Sequence, residues 1–457
     1  MSRIPNLLTL LAVSLAMGVG PAAAAEPQPG GTGLLPDSHG VVLVGQPVPE
    51  SEHEVNRGRA LATATAEPQI FGGWFGNWHS PQIVTARVDD GAGVLTDTAL
   101  FAWDFAGKRN PVCALTFHSG CVPASAKRPW QSRETATSFA AMQGTTRWVS
   151  HIDLNSDRAG ELASVLKSPS RRDALTDKLT AWTVAIDADG LDLDWENFAF
   201  NDGSHTWRAT RPAFVAAVKQ LAGKLHAEDR LLSVTVPAGS RPFGPDGQPR
   251  SGSGYTVYDW AGIADSVDRL NLMTYDYSWD KPGPIGPAPW AAEVVRSAIA
   301  QMGRDNARKI VVGAPLYGKS WPTVGSDGRQ VTVGKCPASW RASSVKAVFS
   351  VTPSSARQLA AAEGTRPRFD RTSKEYTFSY AEPQAGKYRV TVGSGKKKRT
   401  ERRSRTCAVS RTVWFADTAS VNGRASMAKE QGIGGVFMWS LASTSPGLYR
   451  SYERQFG

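Results

Sequence analysis

The sequence predicts a (β/α)8 barrel with a small α+β insertion between its seventh and eighth strands. Three observations predict it. Eight apolar, β-branched or aromatic segments recur from about residue 67 onward. Segments with apolar residues at helical spacing separate several of them. Residues 319–413, about 95 in number, exceed the roughly 30 residues of a strand–helix–strand unit.

The expected strands are Gln69 to Phe75, Ala99 to Phe105, Arg147 to Asp153, Gly190 to Glu196, Leu231 to Pro237, Arg269 to Asp276, Lys309 to Tyr317 and Gly434 to Ser440. Leu175, Leu179 and Trp182 recur at helical spacing within Ser170 to Ile186. Phe214, Val218, Leu221 and Leu225 do the same within Arg211 to Glu228. Strands alternating with helices imply a parallel sheet closed as a TIM-type barrel, with its active site at the strand C-terminal ends. The barrel is expected over residues 67–318 and 414–457. Within 319–413, Tyr376 to Tyr380 and Tyr388 to Val392 read as strands of the α+β insertion.

The fourth strand carries the densest chemistry. Asp189-Gly190-Leu191-Asp192-Leu193-Asp194-Trp195-Glu196 places four carboxylates within eight residues. On a strand, Asp192, Asp194 and Glu196 share one face, while Leu191, Leu193 and Trp195 share the other and pack under helices. Crowded carboxyls on a buried face raise one another's pKa, so a row of this kind can keep an acid protonated near neutral pH. Two other readings compete. Acidic runs are common in solvated loops, but loops have no reason to alternate Leu, Leu and Trp. A calcium loop starting at Asp187 would need Gly at its sixth position, which is Asp192.

The row resembles the DxxDxDxE signature of glycoside hydrolase family 18. The resemblance implies that Glu196 is the acid/base, that Asp194 holds the substrate N-acetyl group, and that Asp192 tunes Asp194 from beneath. In this family the substrate's own acetamide replaces the second carboxylate as nucleophile. Asn271-Leu272-Met273-Thr274-Tyr275-Asp276-Tyr277 resembles the family's MxYD element. It implies Met273 and Asp276 in the substrate cavity and Tyr275 hydrogen-bonded to the acetamido oxygen, with Tyr277 beside them. Trp439, in Val436-Phe437-Met438-Trp439-Ser440, resembles the terminal-strand Trp that floors the cleaved sugar. Gly313-Ala314-Pro315-Leu316-Tyr317-Gly318 resembles the seventh strand. Family members often carry an insertion where this chain has residues 319–413, and it walls one side of the cleft.

Fifteen Trp suit a saccharide groove, since sugar C–H faces stack on indole. Trp74, Trp78, Trp103, Trp279 and Trp321 fall at or just past expected strand ends, and Trp74 and Trp279 are taken as substrate contacts. One departure stands out. The family's third strand usually ends in SxGG, whereas this chain has Trp148-Val149-Ser150-His151-Ile152-Asp153. Here His151 or Asp153 could touch the site, with a structural His the plainer reading.

Residues 1–25 resemble a secretory signal peptide. Arg3 precedes a short apolar run from Leu7 to Met17, and Ala23-Ala24-Ala25 offers a cleavage site. The run is too short to span a membrane. Residues 26–66, rich in Pro, Gly and small residues, read as a flexible linker. The four cysteines suit an oxidising compartment and allow three pairings. Cys113–Cys121 and Cys336–Cys407 are the expected bridges, because each pair falls within one expected loop region. Their spacing does not suit a zinc site.

Net charge is +11, which favours polyanions. No nucleic-acid motif accompanies it, so an anionic cell wall as partner and a loosely basic surface are the two plainer readings. The basic run Lys396-Lys397-Lys398-Arg399 with Arg402 and Arg403 reads either as a solvated hairpin tip or as a wall contact. The expected protein is therefore an exported, monomeric hydrolase of β-1,4-linked N-acetylglucosamine glycans, chitin or peptidoglycan, needing no metal or cofactor. The Asp280-Lys281-Pro282-Gly283-Pro284-Ile285-Gly286-Pro287 run and the third strand resemble the bacterial branch acting on peptidoglycan or spore cortex. The alternatives are a non-catalytic, lectin-like barrel and a wall-associated structural protein.

Overall fold

The computed structural model describes residues 69–108, 111–114, 122–123, 130, 132–153, 159–238, 255–344 and 347–457. The expected signal peptide, the linker and Cys121 lie outside the described residues.

Eight parallel strands close on themselves: β1 (Ile70–Gly76), β2 (Asp97–Asp104), β3 (Thr146–Ile152), β4 (Gly190–Asp194), β5 (Leu231–Pro237), β6 (Arg269–Met273), β7 (Ile310–Pro315) and β8 (Gly435–Trp439). Each pairs with the next, and β8 pairs with β1 to close the barrel. Helices Pro169–Ala185 and Trp207–Ala227 follow β3 and β4, near the segments whose apolar spacing predicts them.

Strand alternation sorts the side chains into two cores. Leu191, Leu193 and Trp195 face outward and join Leu175, Leu179, Trp182, Phe214, Val218 and Leu221 beneath the helices. The opposite parity fills the lumen, where Ile70, Trp74, Ala99, Phe101, Trp148, Ile152, Val311 and Phe437 form a separate buried cluster. A large side chain buried this way contributes about 1.5–3 kcal/mol. The large outer core is therefore what offsets holding several carboxyls out of water. Helix Thr418–Gln431 shows the local logic: Asp417 and Ser420 cap its start reciprocally, and Gly432 at φ 69° ends it. The chain then turns into β8.

Beyond β7 the chain runs through Gly318–Pro322 into an antiparallel sheet. Its spine is a hairpin of two long strands, Glu375–Val392 and Arg399–Phe415, paired from Tyr376↔Phe415 to Val392↔Arg399. The first runs unbroken where the sequence predicts two pieces. Pro383 takes its place in the ladder opposite Ala408. Gly386 lies under Trp340, where a Cβ would meet the indole at 2.2 Å. Helix Pro353–Ala362 covers one face through Ala356 and Ala360 against Phe378, Val413 and Phe415. Cys336 is bonded to Cys407, with Cα atoms 5.9 Å apart. Cys113 is also disulfide-bonded. Among the described residues no helix is long and apolar enough to cross a membrane.

Candidate active site

The acid row lies along the barrel axis. Asp192 points into the lumen and accepts hydrogen bonds from three other strands, its neighbours β3 and β5 and, across the barrel, β1. Trp74 Nε1 of β1 and Ser150 Oγ of β3 donate to its Oδ2 at 3.0 and 2.9 Å. Thr235 Oγ1 of β5 donates to its Oδ1 at 2.7 Å. Register explains the geometry, since Ser150 lies opposite Asp192 across β3–β4. Ser150 thus occupies the serine place of the SxGG element although the glycines are gone.

Asp194, two residues on, is buried with Oδ1 lacking any hydrogen-bond partner. Burial, then the charges of Glu196, Asp192 and Asp153, hold its pKa well above the carboxylate range. An unsatisfied buried oxygen is a group able to accept a donor.

β4 ends at Asp194 rather than at Glu196. Glu196 has helical backbone angles, φ −107° and ψ −40°, and leads into helix Asn197–Asn201. The cause is Asp153, just past β3. Its Oδ1 accepts the backbone N–H groups of Glu196 and Asn197 at 2.9 and 2.8 Å, and its Oδ2 accepts that of Phe198 at 2.6 Å. Three donors on one carboxylate fix the turn. Burial pushes Asp153 up to about 7 against the pull of those donors. Glu196 is 7% exposed. Burial first, then the charges of Asp153 and Asp276, push it up to about 8. Tyr258, which sequence reasoning missed, donates its hydroxyl to Trp195 O at 2.6 Å and braces the same turn from below.

The other wall follows β6, which ends at Met273, a buried residue. Burial first, then the charges of Asp194 and Glu196, hold the Tyr275 phenol well above its ordinary range. It therefore stays protonated, a hydrogen-bond donor within reach of the acids' charges. Gly313 of β7 makes room for it, since a Cβ there would meet Leu272 O at 2.5 Å and the Tyr275 ring at 2.9 Å. Asp276 sits at φ 55°, uncommon for a residue with a side chain. Its Oδ1 accepts from Tyr317 at 2.8 Å and from the buried ammonium of Lys319. That ammonium also lies 3.9 Å from the Trp279 ring centroid, so one face of Trp279 is occupied.

The loop carrying these residues is clamped from the insertion. Glu375 accepts the backbone N–H groups of Ile285 and Gly286 at 2.6 and 2.7 Å. Buried Arg424 donates to the carbonyls of Gly313, Thr274 and Gly286.

Trp439, at the end of β8, stands opposite Trp74 in register, and its ring centroid is 5.1 Å from Phe101 and 6.3 Å from Trp78. These rings form an aromatic floor. Trp74 is 2% exposed with its indole N–H given to Asp192, so it supports the row from beneath instead of offering an open face. Tyr277 is 54% exposed and packs on Trp290 at 5.1 Å between centroids, on the outer side of the loop. Trp103 is fully buried against Trp130 and Trp182. A bulge between Phe101 and Trp103 shifts the register, which turns Trp103 from the lumen to the outer core. Trp321 is buried and donates to Trp279 O at 3.1 Å.

His151 is structural. Its Nδ1 accepts from Trp195 Nε1 at 2.9 Å and its Nε2 donates to Pro111 O at 2.8 Å. Burial lowers its pKa to about 4, so it stays neutral. Among the described residues no group of three His, Cys, Asp or Glu side chains could hold a metal ion.

The chain is similar to known proteins in sequence and in fold. It is 23% identical over 301 residues to the uncharacterized glycosylase YvbX of Bacillus subtilis, covering 65% of this chain and 70% of that one. It is 24% identical over 337 residues to a cortical fragment-lytic enzyme of Bacillus anthracis, covering 72% of this chain and 64% of the relative. The spore cortex-lytic enzyme SleL of Bacillus cereus superposes with a TM-score of 0.61 at 18% identity, covering 87% and 76% of the two chains. A chitinase of Chromobacterium violaceum gives 0.59 at 18% identity, covering 84% and 98%. Residues 153–443, more than half of the chain, match the model of Glycosyl hydrolases family 18, and the chain belongs to that family.

Proposed function

We propose that this protein is an exported retaining hydrolase of β-1,4-linked N-acetylglucosamine glycans that uses the substrate's acetamide as nucleophile. One observation carries the reading. Glu196, a buried carboxyl held up to about 8, comes two residues after Asp194, whose buried Oδ1 lacks a partner, and the charges of both acids act on the buried Tyr275 phenol.

The geometry supports the roles that the family resemblance implies. Glu196, neutral at pH 7, hands its proton to the glycosidic oxygen as the bond to the anomeric carbon breaks. The acetamide carbonyl oxygen bonds to that carbon and forms a cyclic oxazolinium. Asp194 accepts the acetamide N–H, and the positive charge growing there favours its ionised form. Tyr275 donates to the acetamide oxygen and fixes its line of approach. Water, deprotonated by the resulting Glu196 carboxylate, opens the ring and returns the proton to Glu196. Asp192 holds Asp194 in place from below, and Trp439 stacks under the sugar.

Cortical fragment-lytic relatives favour peptidoglycan, and chitinases of the same fold keep chitin as the second candidate. Export rests on the charged, apolar and Ala-rich segments of residues 1–25. Purified peptidoglycan and chitin digested side by side, with products read by mass spectrometry and by NMR of the first-formed anomer, test the reading. It expects N-acetylglucosamine reducing ends of retained β configuration. Inverted product, or no product from either polymer, overturns it.

A further inference from the structure

The strongest surface feature outside the cleft is electrostatic. Between Lys387 and Arg405 the hairpin carries nine Lys and Arg and one acid, Glu401, a surplus of eight charges in a chain of net +11. Glu401 is already used, by Arg399 at 2.9 Å and Arg403 at 3.1 Å.

The strand register arranges the rest. Arg389 lies directly opposite Arg402 across the hairpin, and Lys387 lies directly opposite Arg341 on the neighbouring short strand. Like charges directly opposite one another destabilise a β-pair, and this fold keeps two such pairs side by side. The four cations and Ser339 and Ser343 line one open hollow of about 600 Å³ with no acidic residue in its wall. No ion pair engages any of the four cations among the described residues.

The hollow is held rigid. Ser339 Oγ donates to Arg389 O and accepts from Arg389 N, both at 3.0 Å. Trp340 Nε1 donates to Arg405 O at 2.9 Å, and the Cys336–Cys407 bridge ties the same short segment to the hairpin. A preorganised cationic surface loses little entropy on binding.

We propose that this hollow and the hairpin tip bind a polyol-phosphate polymer of the cell wall. Guanidinium forks match phosphate oxygens, and a repeating phosphodiester chain can engage several cations at once. Stacking is a minor part of the surface, since Tyr388 alone among the residues lining the hollow is aromatic. The only aromatic residue from Lys387 to Arg405 is Tyr388, which is half-buried, whereas single-stranded nucleic acid needs exposed rings on which to stack. The proposal does not depend on the hydrolase reading, because the probe below contains no glycan.

The test is equilibrium binding of the full chain to purified, sugar-free poly(glycerol phosphate) over a series of salt concentrations. Duplex DNA at matched phosphate concentration is the competitor. Binding is expected at about 0.15 M salt, with log affinity falling linearly with log salt as counterions are released. The double variant Arg389→Glu/Arg402→Glu should weaken binding at least ~10-fold, as loss of charge-assisted contacts implies, while Arg389→Lys/Arg402→Lys retains most of it. Unchanged thermal melts certify folding; if the first reversal fails to fold, Arg341→Glu/Lys387→Glu replaces it. No binding at that salt, equal binding by the charge-reversed variant, or tighter binding to DNA overturns the proposal.

Discussion

Asp153 accepts the backbone N–H of Glu196 at 2.9 Å and, with two further N–H groups, bends the chain out of β4 at the residue proposed to deliver the proton. Asp153 is therefore a positioning residue. In Asp153→Asn the amide NH2 faces one of the backbone donors, and a charge that raises Glu196 disappears. Turnover should fall about 10-fold or more, as misplacement of a general acid implies, with KM little changed. The basic limb of the pH profile should also shift to lower pH. An unshifted limb would reduce Asp153 to a purely structural role.

The wild-type pH dependence follows from Glu196. In the proposed mechanism the acid form is the active one, and it is present below the pKa in the folded protein. Burial, Asp153 and Asp276 raise that pKa to about 8. Turnover should therefore hold through neutral pH and decline as pH rises through about 8. A decline centred near the ordinary Glu value of about 4.3 would contradict the electrostatics of the site.

Stability should depend on pH with the same sign. Glu196 at about 8, Asp153 at about 7 and Glu375 at about 7 all lie above their unfolded values. The native state then holds more protons than the unfolded chain, so stability falls as pH rises from about 5 to 9. Glu196→Gln removes one buried group that must ionise. Its melting temperature should exceed wild type by a few degrees at pH 9, roughly the shift expected for about 1 kcal/mol, and the gap should close at pH 5. An equal gap at both pH values would show that the effect is not ionisation.

Arg424 serves three carbonyls and faces buried Glu375. Arg424→Met leaves those acceptors and a carboxylate uncompensated. The loss should be about 3–5 kcal/mol, as for breaking a buried charge pair, read as the midpoint of denaturant unfolding. A change below about 1 kcal/mol would show that Glu375 alone holds the loop after β6.

The acid row and its alternation were legible because strand parity is a local property. Leu191 and Leu193 had to face the helices once Asp192 and Asp194 faced the lumen. The end of β4 was not legible, because the residue that stops it, Asp153, lies 43 positions away. The same distance problem hides the support of Asp192 by Trp74, 118 positions earlier. The side to which Trp103 points was not legible for a different reason. Counting by twos from Phe101 places it in the lumen, and a single bulged residue reverses that parity. The unbroken course of Glu375–Val392 was not legible, because Ala408 and Trp340, which meet Pro383 and Gly386, come from other segments.

The most direct measurement compares wild type with Glu196→Gln on the natural polymer, recording turnover and bound glycan together. Loss of the proton donor should lower turnover at least ~100-fold while the glycan still binds. Near-normal turnover by the Gln variant would contradict the assignment of Glu196 as the acid.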